Sequence, residues 1–329
     1  MVSRMLGAVA AMSLAGVCIA ETVQVDYSSP SLDRWMYPFN FTPGTRSTAS
    51  TFGALGEPDF DNRDGQFIVG WDTAGDVTPG LGESSYSVVT ATVRVATDAG
   101  GFAYDGTLDP VESYFTMGDP DFVVDADAGR PIEIYGIAYR NGFDGATFVE
   151  TSPFGPNQST NRSVRNAFAI DFFGGSTTDV SNNVDERFEV RPFAVGHTAI
   201  APGAATPADT DFVFTLNVGD PDVQTYLRRA LDSGRTRFVI SSLHPAVQQG
   251  GEFASWYTKE NLFGAGRAAR LELEVVIGSP TDLNGDGETG GSDLAALLAA
   301  WGQPGPSDFD GDGETDGSDL ATLLASWTP

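Results

Sequence analysis

The chain has 329 residues, 41% of them hydrophobic, and a formal net charge of −27 at pH 7. That length admits one large domain or two unequal ones, and so acidic a surface argues against nucleic acid or anionic membrane as partners. The one cysteine, Cys18, leaves no pair for a disulfide, so stability has to come from core size, from bound metal, or from both.

Residues 1–20, MVSRMLGAVAAMSLAGVCIA, carry one early arginine, an uncharged apolar run and a small residue at Ala20. This is the pattern of a cleaved signal peptide, and the run is too short for a comfortable membrane span. It predicts a secreted protein, extracellular or held at the cell surface. Ala15-Gly16-Val17 before Cys18 fits a lipid-anchoring box poorly. No later stretch is apolar enough to cross a bilayer.

The segment RWMYPFNF (34–41) places Trp35, Tyr37, Phe39 and Phe41 on one side of a strand, and Pro38 marks an edge. Such a row is more often core than a platform for sugar rings. EPDFDNRDG (57–65) and GDPDFVVDADAG (118–129) read as solvated turns rather than a calcium site, because Asp59, Asp61 and Asp64 miss a one-three-five register. Alternation of period two runs through 85–97, 131–139, 187–195, 211–218, 236–243 and 270–277, punctuated by Gly, Pro, Asn and Asp. The pattern predicts an antiparallel all-β sandwich or barrel over residues 21–278. One short helix interrupts it: Asp220 caps, Pro221 suits the first turn, and Val223, Tyr226, Leu227, Ala230 and Leu231 share a face before Gly234.

After that helix come a glycine, a strand, a Gly-Gly turn and FASWYTKENLFGAGRAARLELEV (253–275). The valine-led helix, the Ser-x-x-x-Lys-Glu run and the closing RLELEV strand resemble the end of DNRLRE-type jelly-roll domains. DNRDGQFIVGWDT (61–73) and ATVRV (91–95) are compatible with that family's opening strands. The resemblance covers about a third of the domain, and it implies an extracellular β-sandwich of a kind often associated with carbohydrate binding.

The chain ends in a duplication. DLNGDGETGGSDLAALLAAWG, from Asp282, returns as DFDGDGETDGSDLATLLASWT, from Asp308. With Asp282 as position one, Asp282, Asn284 and Asp286 hold one, three and five, Gly287 six and Asp293 twelve. The second copy places Asp308, Asp310, Asp312, Gly313 and Asp319 there and adds Asp316 at nine. Calcium wants about six to eight oxygens, and alternate residues of a tight loop point theirs inward. Glu288 and Glu314, at seven, are assigned main-chain carbonyl roles. Two ions are therefore expected, the second loop, with five carboxylates, binding more tightly than the first, with three. A solvated acidic turn would explain one such phrase but not two in register.

An ordinary EF-hand has a helix on each side of its loop. Here Pro280 precedes one loop and GQPGPS the other, so only exit helices remain. Leu294, Leu297, Leu298 and Trp301 form one apolar stripe and Leu320, Leu323, Leu324 and Trp327 the other, each expected to need its partner. This EF-hand-like loop–helix pair, residues 279–329, resembles a type I dockerin. The resemblance implies a cohesin-type protein partner and a place in polysaccharide catabolism. Its calcium ligands map onto Asp282, Asn284, Asp286 and Asp293, and onto Asp308, Asp310, Asp312, Asp316 and Asp319. Two departures stand out. Gly290, at position nine, offers no side-chain oxygen, so water would complete the first site. The recognition pair at positions ten and eleven is Gly291-Ser292 and Gly317-Ser318, unlike the usual hydroxyl or small apolar pairs.

Enzyme signatures are mostly missing: there is no H-E-x-x-H, G-x-S-x-G or G-x-x-x-x-G-K, and no cysteine nucleophile. His197 and His244 read as structural. Asp171 and Glu260, among apolar residues, are carboxyls whose pKa burial could raise, and the sequence alone does not pair them across the fold. The reading is a secreted calcium-binding protein whose tail anchors a β-sandwich, carbohydrate- or surface-binding rather than catalytic. The alternative is a polysaccharide-acting hydrolase or lyase with the same tail.

Overall fold

A computed structural model describes residues 21–156, 163–264, 266–284, 288–310 and 312–327. Its first seven strands are β1 (Glu21–Tyr27), β2 (Leu32–Met36), β3 (Thr48–Thr51), β4 (Gln66–Asp72), β5 (Tyr86–Ala99), β6 (Tyr104–Asp105) and β7 (Arg130–Tyr139). The rest are β8 (Ala167–Phe173), β9 (Ser176–Asp179), β10 (Ala194–Val195), β11 (Asp211–Thr215), β12 (Arg235–Ser242), β13 (Ala254–Tyr257) and β14 (Arg270–Ile277). Helix α1 spans Pro221–Asp232, α2 Gly291–Ala299 and α3 Gly317–Ala325.

The strands make two sheets. One runs β1-β14-β5-β13-β3, with β11 also on β5; the other runs β2-β4-β12-β7-β8-β9, with β6 and β10 on β7. All pairings are antiparallel except β6 with β7. Val93, Phe212, Trp256 and Leu271 of the first sheet meet Phe67, Trp71, Ile134 and Phe238 of the second in one core, which makes the body a β-sandwich.

The two sheets differ in their outer faces, and the sequence pattern records it. β14 alternates buried and part-exposed residues, its outward Glu272 holding Arg94 of β5 at 2.8 Å. β12 is buried at every position after Arg235, because its far face carries a second core in which Ile68, Tyr135 and Val239 meet Phe148, Phe154 and Val180 from long connections. A strand covered on both sides loses its polar alternation.

α1 forms where the capping signals put it. The Asp220 side chain accepts from Asp222 and Val223 N–H, and Val223, Leu227 and Leu231 are buried. Gln224 bonds both backbone groups of Val88, beside the bulge where β5 slips one residue against β14.

Two expected strands are corrected. The run 187–195 shrinks to Ala194–Val195, because Arg187 turns at φ 57 and Phe188 N–H bonds back to Asn183; Phe188 and Val190 then lie over the second core. The run 211–218 stops at Thr215, where Val218 N–H turns back to the Leu216 carbonyl.

Candidate metal centre and aromatic groove

The second tail loop is built around Asp319. Its side chain is buried at the start of α3; one oxygen accepts from Phe309 N–H at 2.6 Å and Asp310 N–H at 3.4 Å, the other from Asp316 N–H at 2.8 Å. Burial works against this carboxylate, but those backbone donors outweigh it and keep its pKa below the ordinary value. Asp308 accepts from Asp312 and Gly313 N–H at 3.2 and 2.8 Å. Gly313, at position six, sits at φ 97, a conformation that favours glycine. One oxygen each of Asp308, Asp310 and Asp319 lies within 4.8 Å of the others. A backbone hydrogen bond from Asp312 lowers the Asp310 pKa, yet partial desolvation and the charges of Asp312, Asp319 and Asp308 carry it above normal. A cation placed among them would relieve that repulsion.

The other copy repeats the scaffold. Asp293 accepts from Asn284 N–H at 3.0 Å and from Gly290 N–H at 2.7 Å. Asp282 is buried and Asn284 and Glu288 are exposed; Asp286 and Gly287 lie outside the described residues. Asp312 and Glu314 are exposed, and Asp316 caps α3 through Ser318 N–H. Among the described residues no helix leads directly into either loop: β14 comes before the first, and residues 300–307 separate α2 from the second.

The expected apolar stripes divide. Leu297 and Leu323 are fully buried and Leu294 and Leu320 half-buried, whereas Leu298, Trp301, Leu324 and Trp327 are exposed. Only part of each stripe faces its partner, so the expectation that the whole stripe is core is corrected. Each helix is nine residues long, too short to bury all four side chains against its equal.

The aromatic row is intact but leaves its strand early. β2 ends at Met36, and Asn40 folds the chain back by bonding the Trp35 carbonyl. Trp35 stacks on Tyr37 at 4.5 Å, Tyr37 meets Phe39 edge-on at 5.5 Å, and Phe39 meets Phe41 at 6.3 Å. Phe39 is 43% exposed and Phe41 74%, so the outer half of the row is surface. Tyr37, Phe39 and Phe60 line a groove of about 140 Å³ with Glu57, Asp64 and Gln248. That is below the ~300 Å³ of a typical small-molecule site, and suits one ring rather than a whole ligand. Asp64 is buried; desolvation and the Asp61 charge, against the pull of Arg165, raise its pKa to about 7. Burial and Asp64 together raise Tyr37 to about 12.

Behind the groove lies a network the sequence reading placed in solvent. Asp61, Asn62, Arg63 and Asp64 are all buried. Asp61 pairs with Arg165, whose Nε is 2.8 Å away, and accepts from Asn182 and from Ser163 N–H at 2.7 Å. Arg63 pairs with Glu133 and donates to Asn183 at 3.0 Å. The partners stand 70 to 121 residues away, so no local spacing announces them; the mixed charge of DNRDG beside a long apolar strand was the available signal. In the 118–129 turn, Arg187 holds Asp119 and Asp121, and Asp127 lies near Asp105 and Asp109.

The remaining candidates are His244, His197, Asp171 and Glu260. His244 is buried with Nε2 2.9 Å from the Ala103 carbonyl, and desolvation lowers its pKa to about 4. His197 bridges Val213 through the backbone. Asp171 is paired with Arg191 at 3.0 Å, and Glu260 lies 3.6 Å from Lys259. No known protein family matches the chain, and no curated protein does.

Proposed function

We propose that this is an exported, calcium-dependent docking protein. The tail binds two calcium ions, and its exposed Leu298, Trp301, Leu324 and Trp327 face receives a cohesin-like domain. The β-sandwich carries a sugar-binding surface at the Tyr37–Phe39–Phe41 row. The observation that supports this most is the convergence of Asp308, Asp310 and Asp319 oxygens on a loop that the chain contains twice. Hard cations take such all-oxygen sets, and Asp293 and Asp319 stitch loop to helix in the same way, so filling a loop would also order its helix. Glu288 and Glu314 would contribute carbonyls. In this reading the first loop relies on water at Gly290.

Titration calorimetry of the full chain with calcium tests the reading. Two binding events are expected, with Asp312→Ala losing more affinity than Asp286→Ala. No heat beyond dilution would end it.

One observation favours a catalytic second reading. Asp64 and Glu57 line the same groove, and a carboxyl with a pKa of about 7 is suited to protonate a leaving oxygen while another carboxylate assists. Release of reducing ends from a glycan panel, abolished in Asp64→Asn, would establish that activity; binding without release leaves the groove a platform.

A further inference from the structure

The sequence holds seventeen arginines and a single lysine, Lys259. The other ion pairs of the described residues use guanidinium groups, which do not lose a proton in proteins. Lys259, just after β13, is different in chemistry and in setting. Its Nζ bears on Glu150 Oε1, stands 3.2 Å from Asp33 Oδ1 and 3.6 Å from Glu260 Oε1. Three remote segments meet here: β2 brings Asp33, the connection after β7 brings Glu150, and the turn after β13 brings Lys259.

Backbone donors fix the arrangement. Asp33 N–H donates to Glu150 Oε1 at 3.0 Å, and Lys259 N–H donates to Asp33 Oδ2 at 2.7 Å. The Asp33 side chain is fully buried. An amine, a carboxyl whose oxygen is held by a backbone N–H, and a second, buried carboxyl beside the amine are the parts required for condensation.

We propose that Lys259 and Glu150 form an intramolecular amide cross-link, with Asp33 as the proton carrier. The Asp33 carboxylate takes one proton from the Lys259 ammonium. The neutral amine adds to Glu150 Cδ, and the developing negative charge on Oε1 is held by Asp33 N–H. The Nζ–Cδ bond forms and the Cδ–Oε2 bond breaks. Oε2 leaves as water, with one proton returned by Asp33 and one from the attacking nitrogen. Ammonium and carboxylate become amide and water, and Asp33 ends as it began. Burial, opposed by Lys259, raises the Asp33 pKa to about 6, near enough to neutrality for it both to accept and to return the proton. Well-oriented intramolecular reactants can reach effective molarities of roughly 10⁵ M, and holding the amine against the carboxyl lowers the barrier to condensation in that way. Arginine at this position would give the ion pair but not the bond. The link would close a long loop in a body domain that has no disulfide.

Mass spectrometry of the full chain decides the matter. The denatured wild type is expected to be lighter than its sequence by one water, and its proteolytic digest to yield a branched peptide joining Lys259 to Glu150. Lys259→Arg, which keeps the charge, should restore the full mass, as should Asp33→Asn. A wild-type digest in which Lys259 and Glu150 occur only in separate linear peptides overturns the proposal, whether or not the variants fold. So does a missing water that persists in Lys259→Arg, or a branch mapped to Asp33 or Glu260.

Discussion

The body and the tail both bury carboxylates, and they settle the charge differently. In the sandwich, Asp61 meets Arg165 and Glu133 meets Arg63, both pairs buried beside the second core, Arg63 over the Tyr135 ring and Arg165 over Phe154. In the tail, Asp293 and Asp319 are buried against backbone N–H groups, and residues 281–329 contain ten acids and no base. Among the described residues there, only Leu297 and Leu323 are fully buried apolar residues, and isolated helices below about 12 residues are marginal in water. In the proposed reading the tail's counter-charge is calcium, and that contrast can be broken or sharpened by experiment.

The largest effect expected is the loss of the tail's structure on chelation. Circular dichroism should show the α2 and α3 helicity disappearing in chelator and returning with calcium, while the sandwich signal stays constant. Equal helicity in both conditions would place the tail in the same class as the body.

Next comes Asp61→Ala, which strands the buried Arg165 guanidinium. Removing one member of a buried pair costs about 3–5 kcal/mol, so the urea midpoint of the sandwich should fall by that equivalent. A loss below about 1 kcal/mol, as for a surface pair, would mean water reaches Arg165.

That network also marks where sequence reading stopped. Strands β5, β7, β12 and β14, α1 with its Asp220 cap, and the exit helices of the tail were all legible, because each depends on periodicity or on neighbours within a few residues. The burial of DNRDG was not, since Arg165, Asn182 and Asn183 reach it from β8 and its surroundings. Strand 187–195 failed for a related reason: its apolar residues serve a cover over the sheet, and period-two spacing does not distinguish a strand from an extended cover. In the tail the two exit helices were legible, but the split of the stripes into buried Leu297 and Leu323 and exposed Leu298 and Leu324 needed the helix crossing itself. The aromatic row was recognised, though its turn at Asn40 was not.

Asp64 gives a smaller, pH-dependent effect. Its folded pKa of about 7 lies above the ordinary 3.8. Below 3.8 both states hold the proton and nothing is gained or lost. Between 3.8 and 7 the folded state keeps a proton that the unfolded state releases, so stability falls as pH rises through this window. Asp64→Asn should therefore stabilise the sandwich by on the order of 2 kcal/mol at pH 8, with the groove side's access to water limiting the gain, and by nothing at pH 3.5. Thermal unfolding across that range checks it. A constant difference would show that Asp64 is not the titrating group.

The smallest effect, that of the exposed leucines set against a buried one, separates stability from docking within the tail. Leu297→Ala opens a cavity in the one buried layer between α2 and α3, and losses of about 2–5 kcal/mol are usual for such changes. The calcium-loaded tail should then lose helicity. Leu298→Ala with Leu324→Ala removes two half-exposed side chains, each 52% exposed, and surface changes stay within roughly 0.5 kcal/mol. The melting midpoint of the calcium-loaded tail should hardly move. If the double variant melts as early as Leu297→Ala, those leucines are core and the proposed docking face does not exist; if it does not, two exposed leucines retained at equivalent places of both copies remain available for a partner.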